Sequence, residues 1–221
     1  MQGPSHLLVS WYFADAAGVE TPRDRRIVAW AGLAPDVDVL AYAGALLYYR
    51  LDKDLAFENV WRVVHHRYTH GLTFVLLTGV VAWLLASKPA ARARVALLAM
   101  VASALHMFCD LVAGGPTWPI YPLWPVSDLG WSASWSWTIG EWPNIAILFA
   151  CLAGMFAYAK FAARSPLECF GDRADAWFVR IATQAPRPAG SERTSLRWII
   201  WAAVILGAIA ILAPLGFKPS G

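Results

Sequence analysis

Long apolar runs broken by short polar segments dominate the 221-residue chain. Stretches 27–49, 71–87, 94–113, 143–163 and 197–217 each approach or exceed the roughly 17–25 residues that an α-helix needs to cross a bilayer. Residues 6–17 are apolar but too few to span alone, and read as an interfacial or half-buried helix. The pattern predicts an all-α, polytopic integral membrane protein, with about five transmembrane helices plus a short N-terminal helix. Residues 164–196 are polar, with Gly, Pro and mixed charge. They read as a cytoplasmic linker with one short amphipathic helix near residues 174–182. The run 197–217 carries no acid or histidine and reads as an anchor. Two units follow: a core over 1–142, and membrane anchor helices with their linker over 143–221.

Composition strengthens the membrane reading. Hydrophobic residues make up 58% of the chain and charged residues 15%, against roughly a quarter charged in soluble domains. Mean hydropathy is +0.48. Thirteen tryptophans and seven tyrosines suit rings placed at membrane–water interfaces. A net charge of +3, with no dense basic stripe, argues against a nucleic-acid partner. The three cysteines, Cys109, Cys151 and Cys169, have neither disulfide-framework nor CxxC spacing. The N-terminal segment lacks a basic n-region, and Asp15 and Glu20 follow soon after, so it does not read as a cleavable signal peptide.

Five spans starting from a cytoplasmic N-terminus would put thirteen basic residues on inner segments and five on outer ones, as the positive-inside rule favours. The loop 114–142 has no Lys or Arg and is dense in Trp and Pro. Its prolines prevent regular helix, so it reads as an irregular aromatic lid, either lining a cleft or anchoring at the headgroups.

The candidate chemistry sits in the first half. All five histidines fall within the first 106 residues. They and nearby acids form Ser5-His6, Pro35-Asp36-Val37-Asp38, His65-His66-Arg67-Tyr68-Thr69-His70 and His106-Met107-Phe108-Cys109-Asp110. Ionisable groups in or against apolar segments are costly unless paired, metal-bound or chemically employed. His66 and His70 are four apart and would share a helical face, able to grip one metal ion. His65 would be the ligand instead if the turn before the apolar run is irregular. His106 and Asp110 are also four apart, so the carboxylate can bind metal or orient the imidazole. Asp36 and Asp38 lie about 200° apart on an ideal helix. Either Pro35 breaks the span and both aim into one cavity, or only one is a ligand. His6 and Asp36 join the site only if the first span is distorted or the N-terminal helix packs against it. Arg67 and Thr69 could meet an anionic group, although a snorkelling Arg is the plainer account. Serine or cysteine catalysis lacks support: no GxSxG elbow is present, and Cys109 would face away from His106 and Asp110.

The order of these motifs, followed by Leu123-Trp124-Pro125-Val126-Ser127, resembles the membrane-bound predicted metal-dependent hydrolases. These are also called YdjM-like or LexA-binding inner-membrane-associated hydrolases. The resemblance covers roughly residues 3–130. It implies a bacterial inner-membrane protein with a divalent-metal site built from His6, Asp36, Asp38, His65, His70, His106 and Asp110. The family has His-Arg-Gly before its aromatic-Thr-His, whereas this chain has His65-His66-Arg67, which leaves His65 and His66 as alternative ligands.

The expectation is a membrane hydrolase using a divalent metal, zinc before manganese or magnesium. Metal-activated water would attack an ester or phosphoester, with Asp38 or Asp110 as general base. The interfacial position suggests a small or lipid-like substrate and membrane lipid as partner. The alternative is a non-enzymatic protein, an ion or proton carrier or a regulator-docking protein, using the same His/Asp set.

Overall fold

Helix α1 (Gly3–Ala16) runs through the middle of a helical bundle rather than along a surface. In the computed structural model, which describes residues 1–184, its Trp11 and Ala14 are completely buried. Of the interfacial and half-buried readings, the half-buried one holds: seven of its fourteen residues are buried. A segment too short to cross a bilayer alone is instead enclosed by its neighbours, packing on α2 (Pro22–Leu33), α7 (Arg92–Ala113) and α8 (Trp142–Ala162).

Helix α2 starts where Pro22 takes the first turn and the Thr21 hydroxyl accepts from the Asp24 N–H at 3.1 Å, a standard N-cap. Its contact with α1 is set by Gly32. A Cβ there would lie 1.9 Å from Ser10 Oγ and 2.5 Å from Ser10 Cβ. Pro35 then tightens the chain into a 3-10 turn, Ala34–Asp38, before α3 (Val39–Tyr48) resumes the helix. Two short helices, α4 (Lys53–Ala56) and α5 (Arg62–Val64), flank a π-turn at Phe57–Trp61. They return the chain to the His65–His70 turn. Helix α6 (Leu72–Leu85) packs along α7, with Gly79 giving way to Met100: a Cβ at Gly79 would lie 2.6 Å from Met100 Cγ. Small residues at such positions let apolar helices approach closely.

Among the described residues, three helical segments are long and apolar enough to cross a membrane: Pro22–Tyr48, Pro89–Ala113 and Trp142–Ala162. The predicted run 71–87 forms the 14-residue helix Leu72–Leu85, about 21 Å long at 1.5 Å per residue. The predicted span 197–217 lies outside the described residues, as does the linker beyond residue 184. The described part of that linker is not loose. The 3-10 turn Pro166–Phe170 inserts Glu168, and α9 (Asp172–Thr183) follows, packing Phe178 against Phe156.

The two ends of the bundle differ in character. At one end the Arg94 guanidinium donates to the Ala17 carbonyl, and Ser87 donates to the Asp24 carboxylate from both N and Oγ. There the buried Arg25 also makes a two-pronged bond to Glu168, at 2.6 and 2.8 Å, while Trp11 Nε1 donates to the same carboxylate at 2.7 Å. At the other end lie the start of α1, the 3-10 turn, the His65–His70 turn and the end of α7. The loop between α7 and α8 folds over this second end. It is non-helical, with an antiparallel bridge between Ile120 and Trp131. Tyr121 N–H donates to the His66 carbonyl at 3.1 Å and Leu72 N–H to the Pro122 carbonyl at 2.8 Å.

Candidate metal centre

Four elements deliver the histidines and acids to one place. On α7, His106 and Asp110 share a face, and Nε2 lies 2.9 Å from Asp110 Oδ2. Pro35 breaks the first span, so Asp36 and Asp38 leave the helical register and both turn toward the histidines. Asp36 Oδ1 is 3.5 Å from His106 Nε2 and 4.0 Å from His70 Nε2. Asp38 lies behind, with an almost fully buried side chain, against His65 Nδ1 at 3.1 Å. Helix α1 brings His6, whose ring stacks on His106 at 3.6 Å between centroids and whose Nε2 is 3.1 Å from Asp110 Oδ1. The Met1 amino group also donates to Asp110 Oδ1.

The 65–70 segment is not helical, yet His66 and His70 still meet, with ring centroids 4.6 Å apart; the turn, not helical spacing, brings them together. The chain leaves α5 extended at His65, and His66 adopts a left-handed conformation at φ 67°, a region where histidine is more common than most residues. This reversal sends the two adjacent rings to different partners. His65 stacks on Trp61, with centroids 3.9 Å apart, and reaches Asp38. His66 Nε2 points to Asp110 Oδ2 at 3.8 Å, while its buried Nδ1 has no hydrogen-bond partner. Burial pushes the His66 imidazole well below its ordinary range and lowers His70 as well. Both therefore favour the neutral form that binds metal.

Hydrogen bonding assigns the tautomers at the centre. His106 Nδ1 is 2.7 Å from the Gly32 carbonyl, an acceptor, so Nδ1 carries the proton and the neutral ring's Nε2 keeps a lone pair. Pro35 helps here: lacking an N–H, it cannot take the Gly32 carbonyl in the tight turn that follows. The Thr69 hydroxyl gives its one proton to Asp38 Oδ2 at 2.9 Å. Its oxygen then accepts from His70 Nδ1 at 3.1 Å, and His70 Nε2 is left with a lone pair too. The two bare Nε2 atoms stand 3.1 Å apart. Asp110 Oδ2 lies 3.4 Å from His70 Nε2, is buried, and meets no donor in acceptable geometry.

With both rings neutral, such a set is repulsive unless a cation is shared. It suits a divalent metal ion, because a tetrahedral ion with ligands at about 2.0–2.1 Å holds those ligands about 3.3 Å apart. The ligand atoms of Asp36, His70, His106 and Asp110 lie within 4.8 Å of one another, and the same holds for the sets His65, His66, His70 and Asp36, Asp38, His65. Their arrangement gives His70, His106 and Asp110 the inner positions. His6 and Asp38 act through other groups: His6 supports the Asp110 carboxylate, and Asp38 orients His70 through Thr69. Metal-ligating histidines commonly need such outer partners. The sequence pattern singled out Thr69 as a neighbour for an anion; its place is between Asp38 and His70. Gly32 carried no sequence signal, whereas Trp118 belongs to the loop read as an aromatic lid. The Trp118 ring sits 6.1 and 6.0 Å from the rings of His65 and His66, so the aromatic loop covers this cluster. Cys109 and Arg67 stand apart, Arg67 over the Tyr121 ring with its centroid 4.7 Å away.

Comparison with known proteins gives one assignment. The YdjM inner membrane protein family matches residues 1–214, and the chain belongs to that family. No curated protein and no solved structure matches it.

Proposed function

We propose, for this member of the YdjM inner membrane protein family, a multi-pass membrane hydrolase with one divalent metal, zinc by its donor set. Its reaction is the attack of water on an ester or phosphoester. The observation that carries the reading is the pair of bare imidazole nitrogens 3.1 Å apart beside an unpartnered buried carboxylate oxygen. His70, His106 and Asp110 would hold the ion, two histidines and one acid leaving a fourth position open, as catalytic zinc sites do. Bound there, the metal would lower the pKa of a coordinated water toward about 7 and polarise the substrate.

The chain's own groups divide the remaining work. Asp36 is the one carboxylate of the three with an accessible side chain, 23% exposed against 1% for Asp38 and 3% for Asp110. It therefore suits the proton-accepting role better than Asp38, whose oxygens are taken by Thr69 and His65, or Asp110, whose Oδ1 is held by His6 and whose Oδ2 would bind the metal. Asp38 holds His70 in its tautomer, and the loop carrying Trp118 limits water. A site next to apolar helices favours an amphiphilic, lipid-like ester.

The arrangement in the membrane follows from the two ends. Arg23, Arg26, Lys88, Arg92 and Arg94 gather at the end away from the histidines, so that end faces the cytoplasm. The start of α1 then lies with the site toward the outer side, the reverse of the orientation expected from five spans with a cytoplasmic N-terminus. Helices α1, α2–α3, α6, α7 and α8 run between the two faces.

A non-enzymatic proton carrier is the second reading. It is favoured by the run of contacts within about 3 Å from His65 through Asp38, Thr69, His70 and His106 to Asp110. Detergent-purified protein assayed with p-nitrophenyl acetate and p-nitrophenyl phosphate separates the two. The hydrolase reading expects turnover that is lost on chelation, restored by zinc, and strongly reduced in Asp36→Asn with metal content kept. Proton flux in vesicles that survives chelation, without hydrolysis, would establish the carrier.

A further inference from the structure

An apolar groove of about 420 Å³ lies between α2 and α6 and runs toward the turn that carries Asp36. Ile27, Trp30, Ala31 and Ala34 form one wall, and Phe74, Leu77, Thr78, Val81, Ala82 and Leu85 the other. Trp30, Leu77, Val81 and Leu85 are at least 42% exposed. In a bilayer the groove must therefore be filled by hydrocarbon. From Arg23 to Ala34 it follows about 16 Å of helix axis at 1.5 Å per residue, a length suited to an acyl chain.

Its two ends are unlike. The far end, at Ala34 and Phe74, is apolar. The near end is closed by Arg23 and Arg26. Lys88 joins them there, because Ser87 is bonded to Asp24 and draws the end of α6 against the start of α2. Arg26 is committed to Asp172 and the Glu168 carbonyl. Arg23 and Lys88 are exposed and make no ion pair among the described residues.

We propose that this groove is a binding site for an anionic phospholipid. One acyl chain lies between α2 and α6, and the phosphate sits on Arg23 and Lys88 beside the first turn of α2. The charge at the mouth selects the headgroup; the groove takes any chain of sufficient length. With its headgroup end opposite the histidines, the bound lipid is a resident partner distinct from a substrate at the metal centre.

The test uses the full-length protein in detergent, with phosphatidylglycerol and phosphatidylcholine of identical acyl chains, read by native mass spectrometry. Wild type should retain phosphatidylglycerol preferentially. Arg23→Gln and Lys88→Gln, both surface changes, should each reduce that preference roughly five-fold, at about 1 kcal/mol per basic residue. Phosphatidylglycerol with an acyl-chain diazirine should cross-link to Ile27, Trp30, Leu77 or Val81. Equal retention of both lipids, an unchanged preference in the double variant, or cross-links confined to other helices would each overturn the proposal. None of these readouts depends on metal.

Discussion

Replacing Thr69 with valine keeps the side chain's shape and removes one oxygen, and that oxygen links Asp38 to His70. Two bonds are lost: the 2.9 Å donation to Asp38 Oδ2 and the 3.1 Å acceptance from His70 Nδ1. His70 is then free to move its proton to Nε2, which would turn a donor toward the ion instead of a lone pair. Removing an outer partner of this kind typically weakens metal binding 10- to 100-fold, or about 1.4–2.7 kcal/mol. Stability should also fall by about 1.5–3 kcal/mol, since the bond to the buried Asp38 carboxylate is charge-assisted. The assay is competition for zinc with a chromophoric chelator, run on wild type, Thr69→Val and Thr69→Ser. Serine keeps the oxygen and should bind zinc within a few-fold of wild type. If Thr69→Val is folded and binds zinc as tightly as wild type, the tautomer assignment, and with it the argument for a shared cation, is wrong.

Two further substitutions probe what holds the site in place. Gly32→Ala drives a methyl into Ser10 and should destabilise by about 1–3 kcal/mol or more, seen as a lowered thermal midpoint in detergent; Ser10→Gly in the same chain should recover most of the loss. Arg25→Ala leaves the Glu168 carboxylate buried without its guanidinium, and breaking a buried pair this way costs about 3–5 kcal/mol. Its thermal midpoint should fall further than that of Arg62→Ala, whose pair with Glu58 is exposed.

Parts of this site could be read along the chain, and the reason is local geometry. His106 and Asp110 sit on one long helix, so four-residue spacing correctly predicts their meeting. Pro35 predicts the break that releases Asp36 and Asp38 from opposite faces. At His66 and His70 the same rule names a pair that does meet, but it presumes a helix where the chain turns through a left-handed residue; nothing in His65-His66-Arg67 announces φ 67° at His66. Helix α1 is harder to place for a different reason. Length decides whether a helix can span alone, but burial is decided by neighbours, and the Gly32–Ser10 approach that encloses α1 is a tertiary contact. The roles of Thr69 and the Gly32 carbonyl were equally invisible, since each depends on partners brought from another element. Glu168 lay in a stretch that composition marks as linker, and only Arg25 and Trp11, more than 140 residues earlier, make it a buried anchor.

Metal content tests the central claim most directly. Detergent-purified wild type and a His70→Ala, His106→Ala double variant would be measured by elemental analysis after zinc loading and desalting, with folding of both confirmed by circular dichroism. Close to one equivalent of zinc is expected in the wild type and almost none in the variant. A folded wild type that retains no divalent metal, or a double variant that retains as much as the wild type, would contradict it.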